Sequence, residues 1–424
     1  MSQITQQTFD QMIATLQKTL QINTIKSPAK EGMPFGEGNA ICLNYVLDLC
    51  RQMGFETQNF DNYAGHADYG DGDEVFGVLG HLDVVPVNPT GWVADPFGGE
   101  IKDGVLYGRG VLDNKGPMIA CLYAIKQLKD EGFKPSKKIR IIFGCDEESG
   151  WKCMDYYASK IKMPDEGFSP DGDFPVINVE KGLVHFEINA GKLPEGVVVY
   201  GGARPNIVLD ECHAVLPDGK EIVEYGKASH GSLPECGINA GWKMFEKLNE
   251  LYPQNQAITF ANTKVCGDYN GRNIGIGWSD DVSGKLTLNL GFVKTVDGCL
   301  ILGLDVRYPV TFDLQQVIDQ IKSQMPQEAT LQVFGAHAPL YVPAESNLVQ
   351  TLLKVFGEQT GTKDPQPIAV GGATYARRLP VGVAFGPVFD SDEKLIHETN
   401  ERASLDHLRK MMNIYYEAIK ALTK

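Results

Sequence analysis

GHLDVVP (Gly80–Pro86) directly follows the short apolar run EVFGVL (Glu74–Leu79). An apolar run of this length, flanked by glycine, predicts a buried strand, and this strand ends at a histidine. The arrangement recurs at KIRIIFGCDEESG (Lys138–Gly150), where the predicted strand ends at a run of acids. Residues 117–131 between them have a helical pattern. Strands that alternate with helices indicate an α/β fold with a doubly wound, mostly parallel or mixed sheet.

The α/β pattern is interrupted in the middle of the chain. After about residue 176 the sequence changes to alternating strands with few helices, which is typical of an α+β domain with an antiparallel sheet. The long helix predicted over Leu405–Leu422 returns to the α/β style. A chain of 424 residues also exceeds one ordinary core. We therefore expect a discontinuous catalytic domain, residues 1–180 and 341–424, with an inserted lid domain over 181–340.

Composition and charge exclude several classes of protein. The net charge of −15 disfavours binding to nucleic acid or to an anionic membrane surface, because both need clustered Lys and Arg. No apolar run reaches the roughly 18–20 residues that span a bilayer, and the polar N-terminus does not resemble a secretory signal. The nine cysteines include no CxxC pair, so we expect reduced thiols and a cytoplasmic location.

Five clusters of histidine and acidic residues carry the chemistry. They are GHLDVVP (Gly80–Pro86), GRGVLDNKG (Gly108–Gly116), FGCDEESG (Phe143–Gly150), SPDGDFP (Ser169–Pro175) and LIHETNE (Leu395–Glu401). Ligands of open α/β sheets gather outside the carboxyl ends of the strands. Loops at one sheet edge would therefore bring His81, Asp113 and Glu147 together, and Asp171 and His397 lie in loops that can join them.

Two histidines and three carboxylates suit Zn²⁺, with Mn²⁺ or Co²⁺ as alternatives. Two ions need about three ligands each, and Asp113, central in the series, is the natural bridging carboxylate. Asp83 would accept the free imidazole N–H of His81 and orient the ring. Of Glu147 and Glu148, one can bind metal while the other serves as general base. Alone, each cluster is more typical of a polar loop or a solvated turn; the ordered combination favours a metal site.

These motifs resemble the paired-zinc peptidases that include glutamate carboxypeptidase, aminoacylase and succinyl-diaminopimelate desuccinylase. DEESGWKCMDYY, GGATYAR and the large inserted domain look most like the bacterial peptidase V-type dipeptidases, relatives of carnosinase. The resemblance covers nearly the whole chain. It implies two zinc ions held by two ligand sets, which are His81, Asp113 and Asp171 for one ion, and Asp113, Glu148 and His397 for the other. It also implies that Glu147 is the general base and that Asp83 orients His81.

The resemblance further implies that the inserted domain contributes substrate contacts. His230 would stabilise the oxyanion, and Asn206 and Arg307 would hold the substrate carboxylate or the intermediate, since a guanidinium fork matches a carboxylate. In GGATYAR, Gly372 would allow close backbone approach to the substrate and Thr374 would donate a hydrogen bond. From residue type alone, a loop histidine without a role is the favoured interpretation of His230. A salt-bridged strand residue is an equally plausible interpretation of Arg307, as is a plain glycine turn for GGATYAR.

The function expected from these observations is a metal-dependent dipeptidase, in which hydroxide held by the metals attacks the peptide carbonyl. The alternative is an N-acyl amino acid deacylase of the desuccinylase or deacetylase type that uses the same machinery. A catalytically silent peptide-binding protein and a structural zinc protein are further hypotheses from other classes. The expected partner is a short peptide, without nucleic acid or membrane. The large lid favours a monomer, with a homodimer as the alternative.

Overall fold

The computed structural model describes residues 4–424 and divides the chain into two compact units. The first unit runs to Asn178 and resumes over Val342–Ile368 and Thr374–Lys424. The second unit comprises Val179–Tyr341 together with Ala369–Ala373. The second unit therefore begins at residue 179, where 181 was expected, and its main part ends at residue 341, where 340 was expected. The short segment 369–373, which was expected in the first domain, belongs to the second unit.

Most of the longer helices begin at a polar capping residue. Ser346 and Ser404 accept backbone N–H groups of Val349 and His407 at 3.3 and 3.0 Å, which satisfies donors that a helix start leaves without a partner. The helices are α1 Gln6–Leu20, α2 Glu37–Gln52, α3 Lys115–Asp130, α4 Lys152–Lys160, α5 Ala240–Leu251, α6 Gln256–Phe260, α7 Leu314–Gln324, α8 Asn347–Thr360 and α9 Leu405–Leu422. Within residues 4–424, none of these helices combines the length and apolar character that crossing a membrane requires.

The strands fall into several sheets, and their bounds follow in chain order. They are β1 Glu56–Phe60, β2 Ala64–Tyr69, β3 Val75–His81, β4 Ile101–Lys102, β5 Val105–Tyr107, β6 Lys138–Gly144, β7 Glu166–Ser169, β8 Gly172–Asp173, β9 Ile177–Glu180, β10 Gly182–Lys192, β11 Val198–Tyr200, β12 Glu211–Val215, β13 Glu221–Tyr225, β14 Ser279–Asp280, β15 Gly284–Lys285, β16 Thr287–Val296, β17 Cys299–Tyr308, β18 Thr330–His337, β19 Leu340–Tyr341, β20 Ile368–Val370, β21 Gly382–Ala384, β22 Pro387–Val388 and β23 Arg402–Ser404.

The main sheet of the first unit runs in the order β1-β2-β6-β3-β7-β21-β9. The four central strands β6, β3, β7 and β21 are parallel, whereas β1, β2 and β9 are antiparallel to their neighbours. Phe76, Val78 and Leu79 on β3 are fully buried, as expected of a strand covered on both faces. This mixed, helix-covered sheet confirms the predicted α/β class.

Three loops that carry acidic or histidine residues leave the same edge of this sheet. β3 ends at His81, β6 ends at Gly144 before the acidic run, and β7 ends at Ser169 before Asp171. Because these strands are parallel, their carboxyl ends lie at one edge. Asp113 does not follow a strand of this sheet, because the preceding strand β5 pairs with β4 and β23 in a separate small sheet.

The second unit contains an antiparallel sheet in the order β16-β17-β10-β18 and a smaller sheet in the order β11-β12-β13. Its core is continuous and apolar, with Leu302, Leu304 and Val306 on β17 and Met244 and Phe245 on α5 all fully buried. This composition is that of an α+β domain. An edge strand that the sequence pattern did not predict, β18, is mostly exposed and alternates irregularly.

Candidate metal centre and catalytic residues

The first group of candidate ligands lies where β3 and β7 end. His81 Nε2 is 3.0 Å from Asp113 Oδ1 and 3.6 Å from Asp171 Oδ2. His81 is completely buried, and the side chains of Asp113 and Asp171 are 9% and 12% exposed. One ligand atom from each of the three residues lies within 4.8 Å of the others, close enough for all to reach one ion.

The second group shares Asp113 with the first. His397 Nε2 is 2.9 Å from Asp113 Oδ2 and 3.2 Å from Glu148 Oε1. Asp113 therefore turns Oδ1 towards His81 and Oδ2 towards His397. This is the disposition of a carboxylate that bridges two ions. The residues that the family resemblance assigns to two ligand sets are thus brought together by the structure in the same two sets.

The donor atoms of these groups fit divalent cations better than they fit each other. His81 Nε2 and Asp113 Oδ1 are buried and face one another at 3.0 Å, yet neither makes a hydrogen bond within the described residues. A buried polar atom without a hydrogen-bond partner destabilises the folded protein, so both atoms would be satisfied by an ion that binds between them. Imidazole nitrogen with carboxylate oxygen is a donor set typical of Zn²⁺ and of Mn²⁺.

The electrostatics of the cluster indicate a shortage of positive charge. Burial, followed by the charge of Asp171, raises the pKa of Glu147 well above its usual range. Burial and the neighbouring Asp113 raise the pKa of Glu148 to about 7 and also raise that of Asp171. Burial alone would lower the pKa of His397, but the carboxylates of Asp113 and Glu148 outweigh burial and raise it to about 11. Divalent cations would relieve this mutual repulsion.

Asp83 makes different contacts from the one expected of it. The ring Nδ1 of His81 lies 3.0 Å from the backbone carbonyl oxygen of Asp83, whereas the carboxylate is 3.5 Å away. The two carboxylate oxygens instead accept the backbone N–H groups of Glu147 and Glu148, each at 3.1 Å. Asp83 thus orients His81 mainly through its main chain and holds the acidic turn through its side chain.

Asn114 is a residue of the site that sequence reasoning missed. Its Oδ1 accepts the backbone N–H of His81 at 3.2 Å, and its Nδ2 donates to the carbonyl of Pro170 at 2.5 Å. Asn114 therefore ties the loop of His81 to the loop that carries Asp171. The approach is close, because a Cβ built on Gly80 would lie 2.2 Å from Asn114 Oδ1. The position of Asn114 next to Asp113 was the available signal.

Arg307 in the second unit is already engaged by a neighbouring carboxylate. Its Nε and Nη2 donate to the two oxygens of Asp305 at 3.1 and 2.9 Å, and Nη1 donates to the carbonyl of Gly371. These contacts use one N–H of each Nη atom, so the second N–H of each could reach a substrate carboxylate. Arg307 is 3% exposed. Gly372 lies in the same short segment of this unit.

Asn206 and His230 lie together in the second unit. The carbonyl of Asn206 accepts the N–H of Gly231 at 2.8 Å, and Ile207 forms a β-bridge with His230. The Nδ1 of His230 accepts the backbone N–H of Ser232 at 3.3 Å and lies 2.6 Å from its hydroxyl. Since Nδ1 accepts, a neutral ring carries its proton on Nε2 and can donate there.

Thr374 belongs to the first unit and is buried. Its hydroxyl oxygen accepts the backbone N–H of Ala376 at 3.2 Å and so caps the short turn Tyr375–Arg378. The sequence pattern had assigned Thr374 a donor role towards the substrate. The observed bond uses an oxygen lone pair and leaves that role as a prediction.

Comparisons with known proteins agree with the fold and the motifs. A family model described as "Peptidase family M20/M25/M40" matches residues 77–421. A Bacillus subtilis (strain 168) protein named "Putative dipeptidase YtjP" is 37% identical, and a Staphylococcus aureus (strain USA300) protein also named a dipeptidase is 34% identical; each alignment covers 98% of this chain and 98% of the relative. Human carnosine dipeptidase 1 shares the fold with a TM-score of 0.62 at 14% identity, covering 98% of this chain and 97% of that chain. Aminopeptidase PepT from Bacillus cereus ATCC 10987 does so with a TM-score of 0.63 at 17% identity, covering 98% of this chain and 99% of that chain. The predicted family is confirmed: the chain belongs to peptidase family M20/M25/M40.

Proposed function

We propose that this protein is a metal-dependent dipeptidase that hydrolyses the peptide bond of short peptides. The observation that carries the proposal is Asp113, which turns one carboxylate oxygen towards His81 and the other towards His397. A bridging carboxylate between two ligand sets is the arrangement of paired-metal hydrolases. The full-length relatives named as dipeptidases support the substrate class.

The proposed ligands form two sets, which are His81, Asp113 and Asp171 for one divalent ion, and Asp113, Glu148 and His397 for the other. Zn²⁺ suits this mixed nitrogen and oxygen donor set, with Mn²⁺ or Co²⁺ as alternatives. When bound, the pair of ions would polarise the peptide carbonyl and make water a stronger nucleophile. The unpartnered Nε2 of His81 and the charge shortage of the cluster support this assignment.

Glu147 is the proposed general base. It lies beside the proposed ligand Glu148 on the turn that the Asp83 carboxylate holds. Because Glu147 belongs to neither candidate ligand group, its carboxylate would be left to accept a proton from the attacking water and later deliver it to the leaving amine.

The second unit would supply the contacts that select short peptides. His230, with its proton on Nε2, is the proposed donor to the oxyanion, and Arg307 with Asn206 would hold the free carboxylate of the substrate. Gly372 and Thr374 are proposed to contact the substrate backbone. A carboxylate held at a set distance from the scissile bond would restrict the enzyme to short peptides.

The base assignment is tested with Glu147→Gln. The variant keeps the size of the side chain but cannot accept the proton, so we expect normal metal content and a loss of kcat of about 100- to 10,000-fold on dipeptides. Glu166→Gln is the matched control, since Glu166 lies at the amino end of β7, whereas the candidate ligands follow the carboxyl ends of the strands. Full activity of Glu147→Gln contradicts the assignment.

The substrate class is tested by comparing dipeptides, tripeptides and N-acyl amino acids on protein reconstituted with Zn²⁺ or Mn²⁺. We expect the highest kcat/KM for dipeptides. A preference for N-acetyl or N-succinyl amino acids would identify a deacylase instead. Absence of turnover with every substrate and metal would favour a silent binding protein.

We further propose a cytoplasmic monomer. The nine cysteines are unpaired in the described chain, and most are buried, which suits a reducing compartment. Light scattering on eluted protein measures the oligomeric state directly, and a mass near twice 46.5 kDa would replace the monomer with a homodimer.

A further inference from the structure

We infer that Arg109 and Glu401 are a positioning pair that sets the second metal site by holding the backbones of Asp113 and His397 in one arrangement. The inference rests on the proposed two-metal function and deepens it. Neither side chain belongs to the two candidate ligand groups. Both act on residues that do, from segments 288 residues apart in the chain.

Glu401 organises the loop that delivers Asp113. Its side chain is fully buried, and Oε1 accepts the backbone N–H groups of Leu112 at 2.8 Å and Asp113 at 3.2 Å. Its Oε2 accepts the N–H of Gly110 at 3.1 Å. A carboxylate that gathers successive backbone donors fixes the path of that loop. The loop needs such support because it does not leave a strand of the main sheet.

Arg109 extends the same network to the loop of His397. Its Nη1 donates to Glu401 Oε2 at 2.7 Å, and Nη2 donates to the carbonyls of His397 at 3.0 Å and Glu398 at 3.2 Å. The guanidinium is 3% exposed and lies 5.7 Å from the ring centre of Trp92. The planar fork therefore joins Glu401 to the main chain of a ligand residue.

The pair holds two residues of the second ligand set but only the shared Asp113 of the first. Its bonds run to the main chains of Asp113 and His397, and the side chains of these two residues approach to 2.9 Å between His397 Nε2 and Asp113 Oδ2. The first set has a separate brace, because Asn114 joins His81 to the loop of Asp171. Disturbing the pair should therefore weaken the site of His397 more than the site of His81. His397 depends on this support, because its backbone lies in the left-handed region at φ 66° and its side chain is half exposed.

The test uses Arg109→Lys and Glu401→Asp, each of which keeps the charge of the side chain. Lysine lacks the planar fork of donors that arginine has, and aspartate has a shorter side chain than glutamate. The matched control is Asp68→Asn, which breaks the buried pair between Asp68 and Arg140 (2.7 and 2.8 Å) near the opposite end of β6. Full-length protein is stripped with chelator and titrated with Zn²⁺, and Mn²⁺ loading is followed by electron paramagnetic resonance for coupling between paired ions. Circular dichroism and Tm report folding of each variant.

We expect wild type to bind two ions, and both variants to bind one ion normally and the second about 10- to 100-fold more weakly, with loss of the paired-Mn²⁺ signal. We expect Asp68→Asn to lower Tm yet keep both affinities. Where a single change prevents folding, Arg109→Met/Glu401→Gln supplies the test, because it leaves no buried charge without a partner.

Two ions bound with wild-type affinities in the variants overturn the inference, as does an equal weakening of both sites or the same loss in the control. Wild-type protein that binds fewer than two ions overturns the two-metal proposal and this inference with it. The two failures are therefore distinguishable by the wild-type stoichiometry alone.

Discussion

Replacing Asp83 by Asn separates two roles that its position suggests. The carboxylate accepts the N–H groups of Glu147 and Glu148 at 3.1 Å each, while His81 Nδ1 faces the backbone carbonyl of Asp83 at 3.0 Å. The substitution changes only the side chain. It should therefore disturb the turn that carries the base and leave the nearest partner of His81 in place.

The size of the effect follows from the two bonds. An asparagine can accept one N–H through its oxygen, but its amide nitrogen then faces the second N–H and cannot accept it. Asp83 is 1% exposed, so this backbone donor is left buried without a partner, at a cost of about 1–3 kcal/mol. If the whole cost falls on the transition state, kcat/KM drops by about 5- to 150-fold.

The assay measures dipeptide hydrolysis by metal-saturated Asp83→Asn beside its Zn²⁺ affinity. We expect kcat/KM to fall within that range and the affinity of the His81 site to change by less than about 10-fold. A loss of about 100-fold in affinity with unchanged kcat on saturated enzyme would refute the reasoning, because it would show that the carboxylate acts through His81. Asp68→Asn again controls for general destabilisation.

Three further outcomes are expected from the described contacts. Burial, with Arg140 adding to it, lowers the pKa of His66 to about 4. Below about pH 6.5 this histidine binds a proton in the unfolded chain but not in the folded protein, so it lowers the free energy of unfolding by about 2 kcal/mol at about pH 5. In urea unfolding, His66→Gln should therefore lose about 2 kcal/mol less stability than wild type between neutral pH and about pH 5. The same pH dependence in both proteins would contradict this expectation. Lys115→Met should lower the unfolding free energy by about 1–3 kcal/mol, because the buried ammonium donates to the carbonyls of Thr19 and Ile22 at 2.9 and 2.8 Å at the end of α1. Denaturant titration measures this loss, and wild-type stability of the variant would show that these carbonyls find other donors. Removing divalent ions with a chelator should lower Tm, and Zn²⁺ at about 100 times its Kd should restore about 2.7 kcal/mol at one site; a Tm indifferent to chelator and to Zn²⁺ speaks against metal binding by the folded chain.

The parts of the site that follow strands were predictable from local sequence. An apolar run of strand length can be recognised without knowing its neighbours, and His81 and Glu147 each come just after such a run. Asp171 follows β7, whose four residues EGFS form no apolar run, and it was expected only in a loop that can join the site. Parallel strands then place those loops at one edge of the sheet. The pairing of Arg307 with Asp305 was also readable, because residues two apart on a strand share a face.

Other features depended on partners distant in the chain. β18 has little periodicity to reveal it, since an exposed edge strand buries few side chains. Asp113 was expected in a loop at the same sheet edge as His81, but β5, the strand before it, lies in a separate sheet. The loop of Asp113 is held by Glu401, which no local pattern connects to it.

The sequence by itself determined the α/β class, the inserted second unit, the peptidase family and the residue types able to hold metal. These properties reside in hydrophobic periodicity and in short motifs, both of which are local. Only the tertiary structure decided that Asp113 divides its two oxygens between His81 and His397, and that the Asp83 carboxylate holds the acidic turn. Whether two groups form a hydrogen bond, and which way a carboxylate points, depends on differences of a few tenths of an ångström in the distance between groups that are far apart in the chain. The spacing of residues along the sequence carries no such information.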